Sequence, residues 1–201
     1  MGPPDRNLRV DAARNRDQLL AAAEQLFAEQ GPEATVSDIV RRAGVGKGTF
    51  FRHFATKDDL IAEVVNRNAG SLVRDAERLR GSADAGEALL EFLGLVAEQR
   101  QEGDVSFLLK AAQDDARVAE VRTRLYSAIG LLVDRAKAQG SLRNDIGTTD
   151  VILLTCAPAH VVEQLDAPSP DLWRRYLGII FDGLRPEAAH PLPHPEPHAP
   201  A

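Results

Sequence analysis

The sequence has little with which to do covalent, redox or membrane chemistry. It holds one cysteine, Cys156. No intrachain disulfide can form, so a reducing compartment is expected. Aromatic residues are 5% of the chain, which makes no strong case for a site that takes flat aromatic ligands. No apolar run approaches the roughly 18 residues that a membrane span needs. Residues 1–16 lack the apolar segment of a signal peptide. A cytoplasmic protein with no membrane partner is therefore expected. Period-2 alternation is absent, and no hairpin dipeptide separates two β-like runs, which argues against a sheet. Convergent acid, base or metal-binding side chains are also missing. No enzyme activity, no cofactor and no metal are expected.

What is present is ordinary for a soluble globular chain. The 201 residues are 44% hydrophobic and 27% charged, enough to bury a core without staples. The net charge is −6, which on its face disfavours nucleic acid. Its distribution reverses that reading. Residues 1–60 carry nine basic and nine acidic side chains, so the whole excess of acid lies in 61–201. Within 39–57 stand Arg41, Arg42, Lys47, Arg52 and Lys57, with no acid. A short basic surface on an acidic protein is a directed electrostatic footprint. A merely solvated helical face would mix signs over such a length.

Apolar spacing reads as helix throughout. Leu19, Ala23, Leu26 and Phe27 share one face, and Gly31-Pro32 ends that helix. Thr35 and Asp38 form a capping-box-like start to a helix that closes at Gly44. A short helix follows over 47–53. Thr56 to Asp59 is a second capping box, opening a long helix through Ile61, Val65, Ala69, Leu72, Ala76 and Leu79. Further helical faces run through Leu89, Phe92, Leu93 and Val96, and through Val118, Val121, Leu125, Ala128 and Leu132, with a short helix near 105–112 between them. The apolar stretch 150–165 contains Pro158, so a kink or break is expected there. A last helix carries Trp173, Tyr176, Leu177, Ile180 and Leu184. The fold class is all-α: a tri-helical helix-turn-helix domain, then a larger helical domain. The expected boundaries are a flexible arm over 1–12, the helix-turn-helix domain over 13–59, the helical domain over 60–185 and a disordered Pro/His-rich tail over 186–201.

Two short helices joined by Gly44-Val45-Gly46 are the core of a helix-turn-helix. The first crosses the DNA backbone, and the second puts its N-terminal residues against base edges in the major groove. Glycine at 44, 46 and 48 permits a tight turn and close approach of backbone to phosphate. Thr35, Thr56 and Lys57 sit at helix starts, where free N–H groups favour phosphate. Phe50 and Phe54 read as core. His53 reads as a phosphate contact or a helix cap. Arg6 and Arg9 are arm charges that could reach a minor groove.

Residues 34–61, from Ala34-Thr-Val-Ser-Asp-Ile through Gly44-Val-Gly-Lys-Gly-Thr-Phe-Phe-Arg-His-Phe54 to Leu60-Ile61, resemble the DNA-binding signature of the TetR family, and the preceding helix over 14–31 fits it. Gly140-Ser-Leu-Arg143 and Phe181-Asp-Gly-Leu-Arg-Pro186 are similar to weaker segments of that family. The resemblance implies that Gly46, Lys47, Gly48 and Thr49 reach bases or phosphate. It implies that Phe51, Arg52 and His53 face the groove, and that Thr35, Ser37 and Lys57 clamp phosphates. Two positions depart from the pattern. Phe51 stands where tyrosine is usual, and Gly46 where serine is frequent. The resemblance further implies a homodimer, made here by helices at 150–165 and 169–184, on a pseudo-palindromic double-stranded DNA operator. It implies repression relieved by an unknown small-molecule effector. Residues that could wall the effector pocket are Phe92, Leu93, Phe107, Tyr126, Ile129, Cys156, His160 and Trp173, each of which also reads as plain core.

Two decoys fall away. Gly46-Lys-Gly-Thr49 is similar to part of a phosphate-binding loop, but Arg41 occupies the first glycine position and no strand precedes it. His190, His194 and His198 recur every four residues, but Pro191, Pro193, Pro195 and Pro197 forbid the helix that would align them. Cys156 reads as a core residue. Two rival classes remain: an enzyme on a helical bundle, and a dimeric interaction protein that has lost DNA binding.

Overall fold

The computed structural model describes residues 4–103, 108, 111–157, 169 and 171–197. Among these the secondary structure is helical, with eight α-helices and no strand. They are α1 (Pro4–Gln30), α2 (Val36–Ala43), α3 (Lys47–His53), α4 (Lys57–Leu79), α5 (Ala85–Gly103), α6 (Ala116–Ala138), α7 (Thr148–Leu154) and α8 (Leu172–Gly183). The chain divides into two compact units, Met1–Asn68 with Gly103–Val121, and Ala69–Glu102 with Arg122–Ala201. Residues 105–107 and 109–110 of the expected short helix lie outside the described residues. Leu108 and Ala112 within it share a helical hydrogen bond of 2.9 Å.

In the first unit α1, α2 and α3 pack on one another. Their shared core comprises Leu19, Ala23, Leu26 and Phe27 of α1, Ile39 and Val40 of α2, Phe50 of α3 and the following Phe54. Leu60, Ile61, Val64 and Val65 of α4 add to it. Phe50 and Phe54 are thus core, as their spacing predicts. Helix α1 starts at Pro4, inside the stretch expected to be a loose arm. Proline is suited to a first helical turn, where its missing N–H goes unused, and no glycine or proline interrupts the chain again before Gly31.

The second unit buries a continuous apolar cluster. Ala76 and Leu79 of α4 meet Leu89, Phe92 and Leu93 of α5, Ile129, Leu132 and Val133 of α6, and Trp173, Leu177 and Phe181 of α8. Helix α6 is closed by Gly140, two residues past its end, whose φ of 71° is left-handed. There Gly140 N–H donates to Lys137 carbonyl and Ser141 N–H to Ala136 carbonyl, at 2.9 Å each, a pattern that satisfies the last free carbonyls of a helix.

Three expectations change in this unit. The break expected at Pro158 falls earlier, where α7 ends at Leu154, and residues 158–165 of the expected stretch lie outside the described residues. Thr155 closes α7 by donating its hydroxyl to the Ile152 carbonyl at 2.6 Å, a local bond that competes with further helix. Cys156, expected in the core, is exposed, because it falls in the turn after α7 and not on a packed face. The described part of the tail, 186–197, is tied to the unit at two points. Buried Arg143 donates to the Asp145 carboxylate at 2.6 and 2.8 Å and also to the His190 carbonyl. Glu196 accepts from the Thr149 N–H at 3.3 Å. A buried guanidinium has five donors to satisfy, and one carboxylate does not satisfy them all.

Candidate nucleic-acid interface

The geometry begins at the start of α2. Thr35 Oγ1 accepts from the Asp38 N–H at 3.2 Å, and Thr35 N–H donates to Asp38 Oδ2 at 3.3 Å. This is the capping box expected from sequence. Thr35 Oγ1 also donates to Asp38 Oδ2 at 2.6 Å, and that bond, followed by the one from the Thr35 N–H, holds the Asp38 carboxyl below its usual range. Helix α2 then ends at Gly44, with φ of 69°. Gly44 N–H bonds to the Arg41 carbonyl and Val45 N–H to the Val40 carbonyl. An L side chain at that φ would meet its own backbone, so glycine is required here. The turn thereby delivers Gly46 as the first residue of α3's entry, in extended conformation with φ of −80°.

Helix α3 is seven residues long and buries one of them fully, Phe50. Phe54, just beyond it, packs 5.8 Å from the Phe50 ring. Lys47, Gly48, Phe51 and Arg52 are exposed. Their spacing puts them on one face of a helix. A Cβ added at Gly46 or Gly48 would meet nothing within 4 Å. Neither glycine is demanded by packing, and neither has a positive φ. Glycine inside a helix costs about 1 kcal/mol relative to alanine. Gly48 stands in the first turn of α3, and packing makes no demand for glycine there.

The cations of the motif fall into two groups. Arg42 of α2 makes a bidentate pair with Glu29 of α1, at 2.6 and 2.7 Å. Arg41 pairs with Asp38 at 2.6 Å. The acids come from just outside the 39–57 window, and the acid-free stretch seen in sequence is therefore partly neutralised in space. Part of that signal was local: Asp38 stands three residues before Arg41 on α2 itself, whereas Glu29 reaches Arg42 from α1. Lys47 and Arg52 of α3, by contrast, have no carboxylate partner among the described residues. Arg52 instead donates Nη2 to Thr49 Oγ1 at 2.9 Å and Nε to the Gly48 carbonyl at 3.3 Å.

The other expected DNA residues are placed as follows. Thr35 and Ser37 are exposed at the start of α2. Thr35 accepts from the Asp38 and Ile39 amides through its hydroxyl and carbonyl, which leaves the Val36 and Ser37 N–H groups without a partner among the described residues. His53 is half-buried at the end of α3. Lys57 is half-buried: its ammonium donates to the Pro32 carbonyl and lies 5.9 Å from the Phe27 ring centroid. Sequence reasoning missed this anchoring of Lys57, and missed Arg16, which stacks 5.5 Å over the Phe54 ring and pairs with Glu63 at 2.8 Å.

The residues expected to wall an effector pocket do not gather around a described opening. Phe92, Leu93, Ile129 and Trp173 are buried in the core of the second unit. Tyr126 is half-buried, with its hydroxyl 3.1 Å from Thr149 Oγ1. Cys156 is exposed. Phe107 and His160 lie outside the described residues. A groove of about 260 Å³ between α4 and α6 is lined instead by Val73, Ala76, Arg80, Arg124, Ala128 and Leu131, among others.

Comparison with known proteins bears on both units. Residues 19–64 match the family model for bacterial regulatory proteins of the tetR family. Residues 84–186 match the model for the C-terminal domain of SbtR-like transcriptional regulators. The HTH-type transcriptional repressor KstR2 of Rhodococcus jostii is 26% identical over 201 residues, covering 92% of this chain and 98% of that protein. The HTH-type transcriptional repressor Rv3405c of Mycobacterium tuberculosis is 47% identical over 57 residues, 28% of this chain, and this chain spans 30% of that protein's length. A solved TetR transcription regulatory protein from Mycobacterium vanbaalenii superimposes with a TM-score of 0.62 at 29% identity, over 89% of this chain and 99% of that one. The TetR transcriptional regulator SCO0520 from Streptomyces coelicolor does so with a TM-score of 0.60 at 30% identity, over 85% and 98%. With a capped helix-turn-helix in the first unit, a helical second unit and family models matched in each, the chain belongs to the TetR family of bacterial transcriptional regulators.

Proposed function

We propose that this chain is a homodimeric, cytoplasmic repressor that binds a pseudo-palindromic DNA operator and is released from it by a small-molecule effector. The observation that carries this reading is the exposed face of α3. It combines two cations without carboxylate partners among the described residues and backbone bare at Gly46 and Gly48, where packing makes no demand for glycine. In this reading Gly46, Lys47, Gly48, Thr49, Phe51 and Arg52 meet the major groove, and His53 meets its backbone. Thr35 and Ser37 present the two unused amides of α2 to a phosphate. Lys57 adds charge three residues downstream of Phe54 while it anchors Pro32.

Dimerisation through α7 and α8 is supported by Leu153 and Ile179. Each is 56% exposed, and large apolar side chains on helices expected to pair favour burial against a second copy. Two recognition helices about 34 Å apart would then enter successive major grooves. Helix α4 is continuous across the division between the units at 68/69. It is the element through which an effector in the second unit would act, with a coupling of about 1–3 kcal/mol.

The test is a salt series of binding to the DNA immediately upstream of the gene that encodes this chain. A specific dimer with roughly 6–10 phosphate contacts loses affinity steeply as salt rises. Saturable binding, steep in salt and tighter than to unrelated DNA, is expected. A slope of one or two ions, or equal binding to unrelated DNA even in fragments selected from the whole genome, would sink the reading and favour an interaction protein on the same fold.

A further inference from the structure

On the exposed face of α3, Phe51 presents a phenyl ring that is 57% exposed. The ring is held in a defined direction. It stands edge-on to buried Phe50, with centroids 5.2 Å apart and planes at 82°, a favoured aromatic geometry. Phe50 is itself fully buried, so the ring that orients Phe51 does not move freely.

The polar side chains that flank Phe51 are drawn toward each other. Arg52 reaches back to the Thr49 hydroxyl and the Gly48 carbonyl. Gly48, one turn ahead of Phe51, contributes no side chain and has open space where its Cβ would stand. The centre of this face is therefore a phenyl edge beside bare helix backbone. Lys47 and Arg52 stand at its rim, and the ring itself has no hydrogen-bonding group with which to read a base. In the major groove the one apolar group on a base edge is the C5-methyl of thymine.

From this arrangement we infer that Phe51 is a specificity-determining residue that reads a thymine methyl in each operator half-site. The inference rests on the DNA-binding reading above. Phe51 contributes apolar contact alone, and the missing Cβ at Gly48 lets the helix approach closely enough for the ring to reach the methyl. Packing of the same ring against a deoxyribose would be indifferent to that methyl, which makes the two contacts separable.

The experiment uses the full chain and DNA duplexes selected by it from a random-sequence pool. The best duplex is remade with deoxyuridine replacing thymidine, one position at a time. Uracil keeps the pairing and the hydrogen-bonding edge and removes only the methyl. At one symmetry-related position per half-site, the substitution is expected to weaken binding about fourfold, and roughly 15-fold in both half-sites together, from the transfer free energy of a buried methyl. Phe51→Ala is expected to bind the thymine duplex more weakly and to treat the two duplexes alike. Phe51→Leu, apolar but without a ring, keeps part of the discrimination. Both replace an exposed side chain, and unchanged thermal unfolding checks that the head remains folded. Equal binding of uracil and thymine duplexes by the unaltered chain would overturn the inference, as would discrimination that survives in Phe51→Ala. If no duplex is enriched over the pool, the DNA-binding reading itself fails, a result distinct from the other two.

Discussion

Helices α2 and α3 are neighbours of similar length, yet they use their residues in opposite ways. Helix α2 buries Ile39 and Val40 and spends both of its arginines on carboxylates of the same unit. Helix α3 buries Phe50 alone and leaves Lys47 and Arg52 without an acid among the described residues. The contrast extends to glycine. Gly44 is required by a left-handed backbone, whereas Gly48 is required by nothing within the protein. The lesson is that α2 is fastened to the head while α3 is displayed by it. A cation already matched by a nearby carboxylate contributes little net field, and a cation without one contributes its full charge to an approaching polyanion.

The comparison can be broken most severely at Phe50. Replacing it with alanine should cost about 3–5 kcal/mol, because α3 has no second fully buried side chain to hold it. Denaturant unfolding checks the loss, and a cost below about 1 kcal/mol would mean that α3 is held by something else. Next come the glycines. Gly44→Ala should destabilise the head by about 1–2 kcal/mol through its positive φ. Gly48→Ala should stabilise it by up to about 1 kcal/mol and yet weaken DNA binding. Thermal unfolding and DNA titration on the same samples read both signs. If Gly48→Ala leaves affinity intact, the bare backbone has no role in contact.

The charges sharpen the comparison at a smaller scale. Lys47→Ala should lower the salt slope of DNA binding by about one per protomer. Arg42→Ala should leave that slope nearly unchanged and lower stability instead, since it releases Glu29. Equal slopes for the two variants would erase the distinction between the helices.

The smallest effect concerns two carboxylates on α1. The Arg42 hydrogen bonds hold Glu29 below its ordinary range, while burial raises Glu24, partly opposed by Arg67. Glu29 therefore stabilises the fold above the usual carboxylate range, and that contribution disappears as pH falls through its lowered pKa. Glu24 has the opposite sign: its charged form is the unfavourable one, so its cost is present at neutral pH and vanishes as pH falls through its raised pKa. Glu24→Gln should raise stability at neutral pH by about 0.5 kcal/mol and have no effect in acid, whereas Glu29→Gln should lower stability at neutral pH. Unfolding midpoints measured across pH 3–8 check both signs.

Local chemistry made much of the head legible. Thr35 with Asp38 and Thr56 with Asp59 satisfy amides within three residues, so their capping boxes form as read. Gly44 closes α2 because its own backbone requires it. Phe50 and Phe54 followed from spacing alone. The second unit was less legible where the outcome depended on partners distant in sequence. Cys156 lies in a stretch that reads as apolar helix, yet Thr155 ends α7 and turns the cysteine outward. The walls expected for an effector site went largely into the core, since Phe92, Ile129 and Trp173 are the large side chains that fill it. Composition cannot distinguish a wall from a core when both are apolar.

The sequence by itself determined the helical class, the helix-turn-helix with its caps and turn, and the family, because each depends on residues within a few positions of one another. Only the tertiary structure decided which charges are available to DNA. It brought Glu29 across from α1 to Arg42, thirteen residues away, and set Lys57 against Pro32. It also turned Phe51 outward on the edge of Phe50. Coulombic pairing and packing act on distance in space, and a chain folded back on itself makes distances that its linear order does not contain.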